Sequence, residues 1–193
     1  MARSSKKSTL HDNATLVRPK PESTSNNIQE AQNRENQTGF LGVFIHSIDE
    51  KGRLSCPSEF RQLLNGESIV LTNFISDGAR CLEGFSIQSW KEFTELLRRK
   101  SRFDSKLHKL ESFYLSRAHQ CTLDTSGRVI VPAHLKTYAA LEKEVVFSSS
   151  IHGFRLWDKR VWELVFREAE SALLDNPNLF EGIDLESKHK GGA

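Results

Sequence analysis

The sequence predicts an α+β fold, mainly β, in which two tandem copies of one unit share a β-barrel flanked by helices. Three observations predict it. The nine residues "DEKGRLSCP", Asp49 to Pro57, return as "DTSGRVIVP", Asp124 to Pro132. Around each copy, β-branched and aromatic runs read as strands, and apolar residues at helical spacing follow them. Each half is too short and too edge-rich to stand alone, so strands of one copy are expected to pair with strands of the other and close the barrel.

Residues 1–38 form a Ser, Asn, Gln and Thr rich extension with no strand or helix period, expected to be disordered. The first repeat, 39–100, opens on "FLGVFIHSI", an aromatic and β-branched strand that runs into the first loop. At an offset of 75, Asp49, Gly52, Arg53, Leu54 and Pro57 match Asp124, Gly127, Arg128, Val129 and Pro132. Phe60 matches Leu135, Arg61 matches Lys136, and "IVLT" from Ile69 falls on "EVVF" from Glu144. At an offset of 72, "LEGFSIQSWKEF" from Leu82 lies over "FRLWDKRVWELV" from Phe154, setting Trp90 on Trp162. The change of offset is assigned to the turn between two strands, where insertions cost little.

Each copy therefore reads strand, Asp-x-x-Gly-Arg loop, strand, short helix, two strands, long helix. Pro57 and Pro132 suit a first helical turn, ahead of "SEFRQLL" and "AHLKTYAAL". "SIVLTNF" and "RCLEGFS" are joined by a turn at Asp77-Gly78, "KEVVFSS" and "GFRLWD" by one at His152-Gly153. "IQSWKEFTELLRRK" and "DKRVWELVFREAESALL" are amphipathic helices. A linking helix is expected within 101–118, the second repeat over 119–174 and a tail over 175–193.

Composition limits the function. The 193 residues are 37% apolar, enough for a real core, and no apolar run approaches the roughly 18–20 residues that span a bilayer. With no hydrophobic segment after the basic start, the protein is expected in the cytoplasm. Cys56, Cys81 and Cys121 are odd in number and widely spaced, as reduced packing residues are. The net charge of +2 is unevenly distributed: residues 40–186 carry 19 basic and 21 acidic side chains. Any nucleic-acid surface must then be a local patch.

The duplicated loop is the candidate patch. Its Asp can accept backbone N–H groups across the turn, its Gly can take a positive φ, and its Arg offers a planar, permanent charge. That guanidinium has two targets. It folds back on an Asp as a rigid brace, or it projects with Lys51 toward phosphate oxygens and guanine edges. The candidate DNA-binding residues are Lys51, Arg53 and Arg128; Asp49, Gly52, Asp124 and Gly127 shape the loops.

The stretches "FLGVFIHSIDEKGRLSCPSEFRQLL" and "SRAHQCTLDTSGRVIVPAHLKTYAALEKEVVF", with "GFRLWD" after the second, resemble the two repeats of the MraZ family, bacterial regulators associated with division and cell-wall gene clusters. The loops are similar to those of AbrB-like swapped-hairpin domains. The resemblance covers residues 39 to about 174. It implies a double-split β-barrel, a ring-shaped homo-oligomer, and sequence-specific binding to repeated boxes in promoter double-stranded DNA at the nucleoid. The Asp-x-x-x-Arg loops would face that DNA. No cofactor, metal or small-molecule substrate is implied, and the polar extension and the C-terminal tail have no assigned role.

Other readings compete. The basic run Arg98, Arg99, Lys100, Arg102, Lys106 and Lys109 reads as a solvated helix end or a second DNA contact. Trp90, Trp157 and Trp162 suit core or interface packing, or stacking on bases. For an enzyme, "HQC" puts His119 and Cys121 on one strand face, and "SSSIHG" gathers Ser148, Ser149, Ser150 and His152, but neither set completes a metal site or a nucleophilic triad. A different class is an antitoxin-like or structural ring protein that binds a protein partner through its Trp helices.

Overall fold

The computed structural model describes residues 39–64, 66, 68–100, 104–176 and 178; the polar extension, Arg102 and the end of the tail lie outside them. In chain order the elements are β1 (Val43–Ser47), β2 (Arg53–Ser55), α1 (Ser58–Leu64), β3 (Ile69–Ser76), β4 (Ala79–Ser86), α2 (Ile87–Arg98) and α3 (Ser105–Phe113). A 3-10 turn follows (Leu115–Arg117), then β5 (His119–Cys121), β6 (Arg128–Ile130), α4 (Ala133–Tyr138), β7 (Glu144–Ser150), β8 (Gly153–Asp158) and α5 (Lys159–Asp175). The repeat order read from the sequence is recovered element by element.

The strands form an antiparallel sheet ordered β1-β7-β8-β4-β3-β5 and a separate two-stranded ladder, β2-β6. The two copies exchange strands. The first strand of copy one, β1, pairs with β7 of copy two, and β5 of copy two pairs with β3 of copy one. The hairpins β3-β4 and β7-β8 meet at the β4-β8 pair, where Glu83 stands opposite Arg155. The described residues show the α+β class and the mainly antiparallel sheet, without a closed barrel. Among the described residues no ladder joins β1 to β5; each instead runs through its loop into β2 or β6, and those short strands pair with each other.

One core lies between the inner face of the six-stranded sheet, the β2-β6 ladder and the two short helices. Leu54 and Val129 descend from the ladder, Phe60 and Leu64 from α1, and Leu135 from α4; they meet Ile69, Leu71, Leu82, Val145, Phe147, Phe154 and Leu156 of the sheet. Phe60 is the hub, with its ring against Phe40, Phe44, Phe147 and Phe154. The long helices cover the other face of the sheet. On α2, which Ser86 caps by accepting the Ser89 N–H, Trp90 and Phe93 pack on Phe85. On α5, Val161, Trp162 and Val165 pack near Cys81, Val146 and Trp157.

Three local expectations are corrected. Pairing Ile69 with Ser86 and Val145 with Asp158 makes Ile69 equivalent to Val145, not to Glu144, an offset of 76. A slip of one residue would have turned Val145 and Phe147 away from the core, and burial of both in it decides the register. The second hairpin turns at Ile151 and His152, because Gly153 already begins β8, paired with Ser150. Gly153 is glycine for proximity: a Cβ there would run into the carbonyl oxygen of Gly84 on β4. Pro132 stands at the cap position of α4, with extended ψ of 142°, one residue before the first turn.

Candidate nucleic-acid interface

The two loops adopt one geometry. In copy one the Asp49 carboxylate accepts the Arg53 N–H at 2.8 Å through Oδ1 and the Arg53 Nε–H at 2.6 Å through Oδ2, while the Asp49 carbonyl accepts the Gly52 N–H at 3.0 Å. In copy two Asp124 Oδ1 accepts the N–H groups of Ser126 and Arg128, both at 2.9 Å, and Oδ2 accepts the Arg128 Nε–H at 2.9 Å. The Gly127 N–H closes that turn on the Asp124 carbonyl at 2.9 Å. Gly52 and Gly127 hold φ of +80° and +72°, the region a side chain resists. The hydrogen bonds from their arginines hold both carboxyls below the usual Asp range.

Each arginine thus folds back on the Asp of its own loop, and yet it is not consumed there. The ion pair uses Nε, the nitrogen nearest the chain, and leaves the two Nη groups at the outer end of the fork. The side chains of Arg53 and Arg128 remain 47% and 44% exposed. The brace sets the direction of a charged fork that faces solvent.

The β2-β6 ladder puts the forks on one surface. Arg53 pairs with Ile130, Leu54 with Val129 and Ser55 with Arg128. In both strands the middle residue is buried and the outer two are exposed. Opposed residues of a pair share a face, so Arg53, Ser55, Arg128 and Ile130 form one exposed face over a buried Leu54 and Val129. From strand spacing and rise, the two arginine Cα atoms lie roughly 8–9 Å apart on the diagonal. Lys51 adds an exposed cation at the tip of the first loop, where copy two has the hydroxyl of Ser126.

Sequence reasoning passed over the residues that join the loops. The backbone crosses reciprocally: the Val131 N–H donates to the Gly52 carbonyl at 2.8 Å and the Cys56 N–H to the Gly127 carbonyl at 3.0 Å. Lys136 Nζ, from copy two, donates to the Asp49 carbonyl of copy one at 2.8 Å. Its counterpart Arg61 lies over Gly127, so tightly that a Cβ there would overlap its guanidinium. The signal was the matched cation in the short helix of each copy.

The remaining candidates disperse. Arg98, Arg99 and Lys100 are exposed at the end of α2, which packs on the other face of the sheet from the loops. Trp157 is buried on β8, its indole N–H on Ser148 Oγ at 3.0 Å, and so is unable to stack on a base. Trp90 and Trp162 are half-buried against Phe93 and Phe166. His119 is exposed, whereas Cys121 turns into the core, and no group of three metal-ligating side chains occurs among the described residues. Ser148 is committed to Trp157 and Ser149 Oγ donates to the Gly42 carbonyl at 3.0 Å, so the serine cluster has no common focus.

The family model described as "MraZ protein, putative antitoxin-like" matches the chain twice, at residues 40–111 and 114–178. The chain belongs to the MraZ family. It is 40% identical over 139 residues to a protein of Dictyoglomus thermophilum named transcriptional regulator MraZ, covering 72% of this chain and 91% of that one. Proteins of the same name from Caldanaerobacter subterraneus subsp. tengcongensis and Desulfitobacterium hafniense are 35% and 34% identical, over 64% and 69% of this chain and 84% and 90% of theirs. The two MraZ matches divide between the copies, the break falling where α3 ends and the 3-10 turn begins. No helix among the described residues is long and apolar enough to cross a membrane.

Proposed function

We propose that the chain is a DNA-binding transcriptional regulator without catalysis, reading duplex sequence through the exposed face of the β2-β6 ladder and its two loops. The observation that carries this reading is the pairing of Arg53 and Arg128, both braced and both half-exposed, diagonally on one small surface. The names of the MraZ relatives support the class. Arg53 and Arg128 contact guanine edges or phosphates, Lys51 adds a phosphate contact, and Asp49, Gly52, Asp124 and Gly127 keep the forks aimed.

The finer reading follows from the resemblance. The strand exchange suits a double-split barrel, and the protein acts as a ring-shaped homo-oligomer on repeated boxes before a division and cell-wall gene cluster, in the cytoplasm at the nucleoid. A body with little net charge fits this arrangement, since modest contacts repeated around a ring sum to useful avidity. Double-stranded DNA and self are the partners; no small-molecule substrate or cofactor enters.

The test is binding to the duplex upstream of the chain's own gene, against a scrambled duplex, over a series of salt concentrations. Selective binding is expected, with Arg53→Ala and Arg128→Ala each weakening it by about 1–3 kcal/mol where the arginine reads a base. Unchanged binding in the double variant, with assembly intact, refutes the site. A protein-binding reading has its own observation, the exposed Leu164, Phe166, Leu173 and Leu174 of α5; duplex selectivity absent at every salt would favour it.

A further inference from the structure

The loops are held from across the molecule. Lys136, on α4 of copy two, donates to the carbonyl of Asp49, the same oxygen that receives the Gly52 N–H and so closes the first loop. Arg61, on α1 of copy one, lies on Gly127 of the second loop. Neither cation reaches toward the loop of its own copy in these contacts. Each stands one helical turn after a proline, with its own N–H bonded to the proline carbonyl at 2.9 Å, so the short helices fix where both side chains start. Together with the Val131 to Gly52 and Cys56 to Gly127 backbone bonds, each loop has a backbone strap and a cation from the other copy.

We propose that Arg61 and Lys136 are positioning residues that lock each Asp-x-x-Gly-Arg loop to the opposite copy, so that the two arginine forks are presented as one rigid pair. The Lys136 ammonium bonded to the Asp49 carbonyl opposes the opening of the first turn, since opening gives up that charge-assisted bond, and the Arg61 side chain packed over Gly127 restrains the second turn by contact. A rigid pair also meets its target without an ordering cost at each loop. The functional part of this inference rests on the DNA-binding reading; the crosswise lock does not.

The experiment measures hydrogen–deuterium exchange of peptides spanning residues 49–53 and 124–128 in the full chain. Lys136→Met keeps the apolar stem and removes the donor. It is expected to speed exchange at Gly52 and Arg53 roughly five- to tenfold, the scale of one charge-assisted hydrogen bond at a half-exposed turn, and to leave residues 124–128 unchanged. Arg61→Met is expected to do the reverse, loosening Gly127 and Arg128 alone. Lys136→Arg should restore protection. Exchange of β3 and β4 peptides reports that the variants are folded.

On duplex DNA, Lys136→Met is expected to weaken binding severalfold with no change in the slope of log affinity against log salt, whereas loss of a phosphate contact lowers that slope by about one. Loosening confined to the variant's own copy, or none in either loop, overturns the lock. A lower salt slope with both loops still protected overturns it too, and makes Lys136 a phosphate contact. If the unaltered protein binds no duplex, the functional reading fails, and the exchange pattern still decides the lock.

Discussion

Gly52→Ala tests how closely the two copies are joined at the site. Gly52 holds φ of +80°, and a Cβ built on it would fall inside van der Waals contact of the Val131 carbonyl oxygen, with the carbonyl carbon only 3.5 Å away. The positive φ alone costs about 1–2 kcal/mol for an L side chain. The steric part adds to it, because Val131 is backbone and cannot rotate aside. To relieve the overlap the strands must part at the Val131 N–H to Gly52 carbonyl bond of 2.8 Å, next to the buried Leu54-Val129 pair. Weakening that bond and straining a packed neighbour cost about 1–2 kcal/mol more, for a total of about 2–4 kcal/mol. Gly78 is the control. It has a similar φ of +75° with nothing within 4 Å, so Gly78→Ala should cost only the conformational part, about 1–2 kcal/mol. Urea unfolding at one fixed protein concentration measures both, the fixed concentration removing any shift from association. If Gly52→Ala costs no more than Gly78→Ala, the inter-copy contact does not constrain the loop and the reasoning fails.

Other expectations follow from individual groups. Asp49 and Asp124 titrate below the ordinary value of 3.8, so the loop order they support is complete above that value and lost as pH falls through the lowered one. Amide protection at Arg53 and Arg128 should therefore persist at pH 5 and fade only below about pH 4, and Asp124→Asn should flatten the profile of the second loop alone. Glu83 is buried opposite Arg155, whose Nη1 donates to Ser76 Oγ at 3.1 Å, and burial raises the Glu83 carboxyl above 4.5. Its contribution is full below 4.5 and declines as pH rises through the raised value, so Glu83→Gln should be as stable as the unaltered protein or more so at pH 7, and should remove that decline from pH-dependent melting. Phe60→Ala empties the hub of the core and should cost about 3–5 kcal/mol in urea unfolding; a cost under 1 would contradict the packing. Cys56 and Cys81, whose thiols burial pushes up to about 12, should resist iodoacetamide until the protein is unfolded.

Local signals in the chain were sufficient for much of this architecture. The repeat, the element order and the loop geometry are legible because Asp, Gly and Arg at fixed spacing can close only a few turns, and because β-branched runs and amphipathic helices carry their periods in the residues themselves. The loop glycines are an instance: the positive φ expected at Gly52 and Gly127 is the one found. The dual use of the arginines was legible only as alternatives, bracing or projection, since a guanidinium has nitrogens enough for both and spacing does not say which one the Asp takes.

The sequence by itself determined the duplication, the residue types of the candidate site and the turn chemistry, each copy of which depends on neighbours within a few positions. The tertiary structure decided the exchange of β1 and β5 between copies, the register that buries Val145 and Phe147, and the strand order of the six-stranded sheet. It also decided that Arg53 and Arg128 share one face and that Lys136 bonds the loop of the other copy, 87 positions away in the chain. Those outcomes follow from burying one common core, a free energy summed over residues far apart in the chain, and a residue's own sequence neighbours carry little record of it.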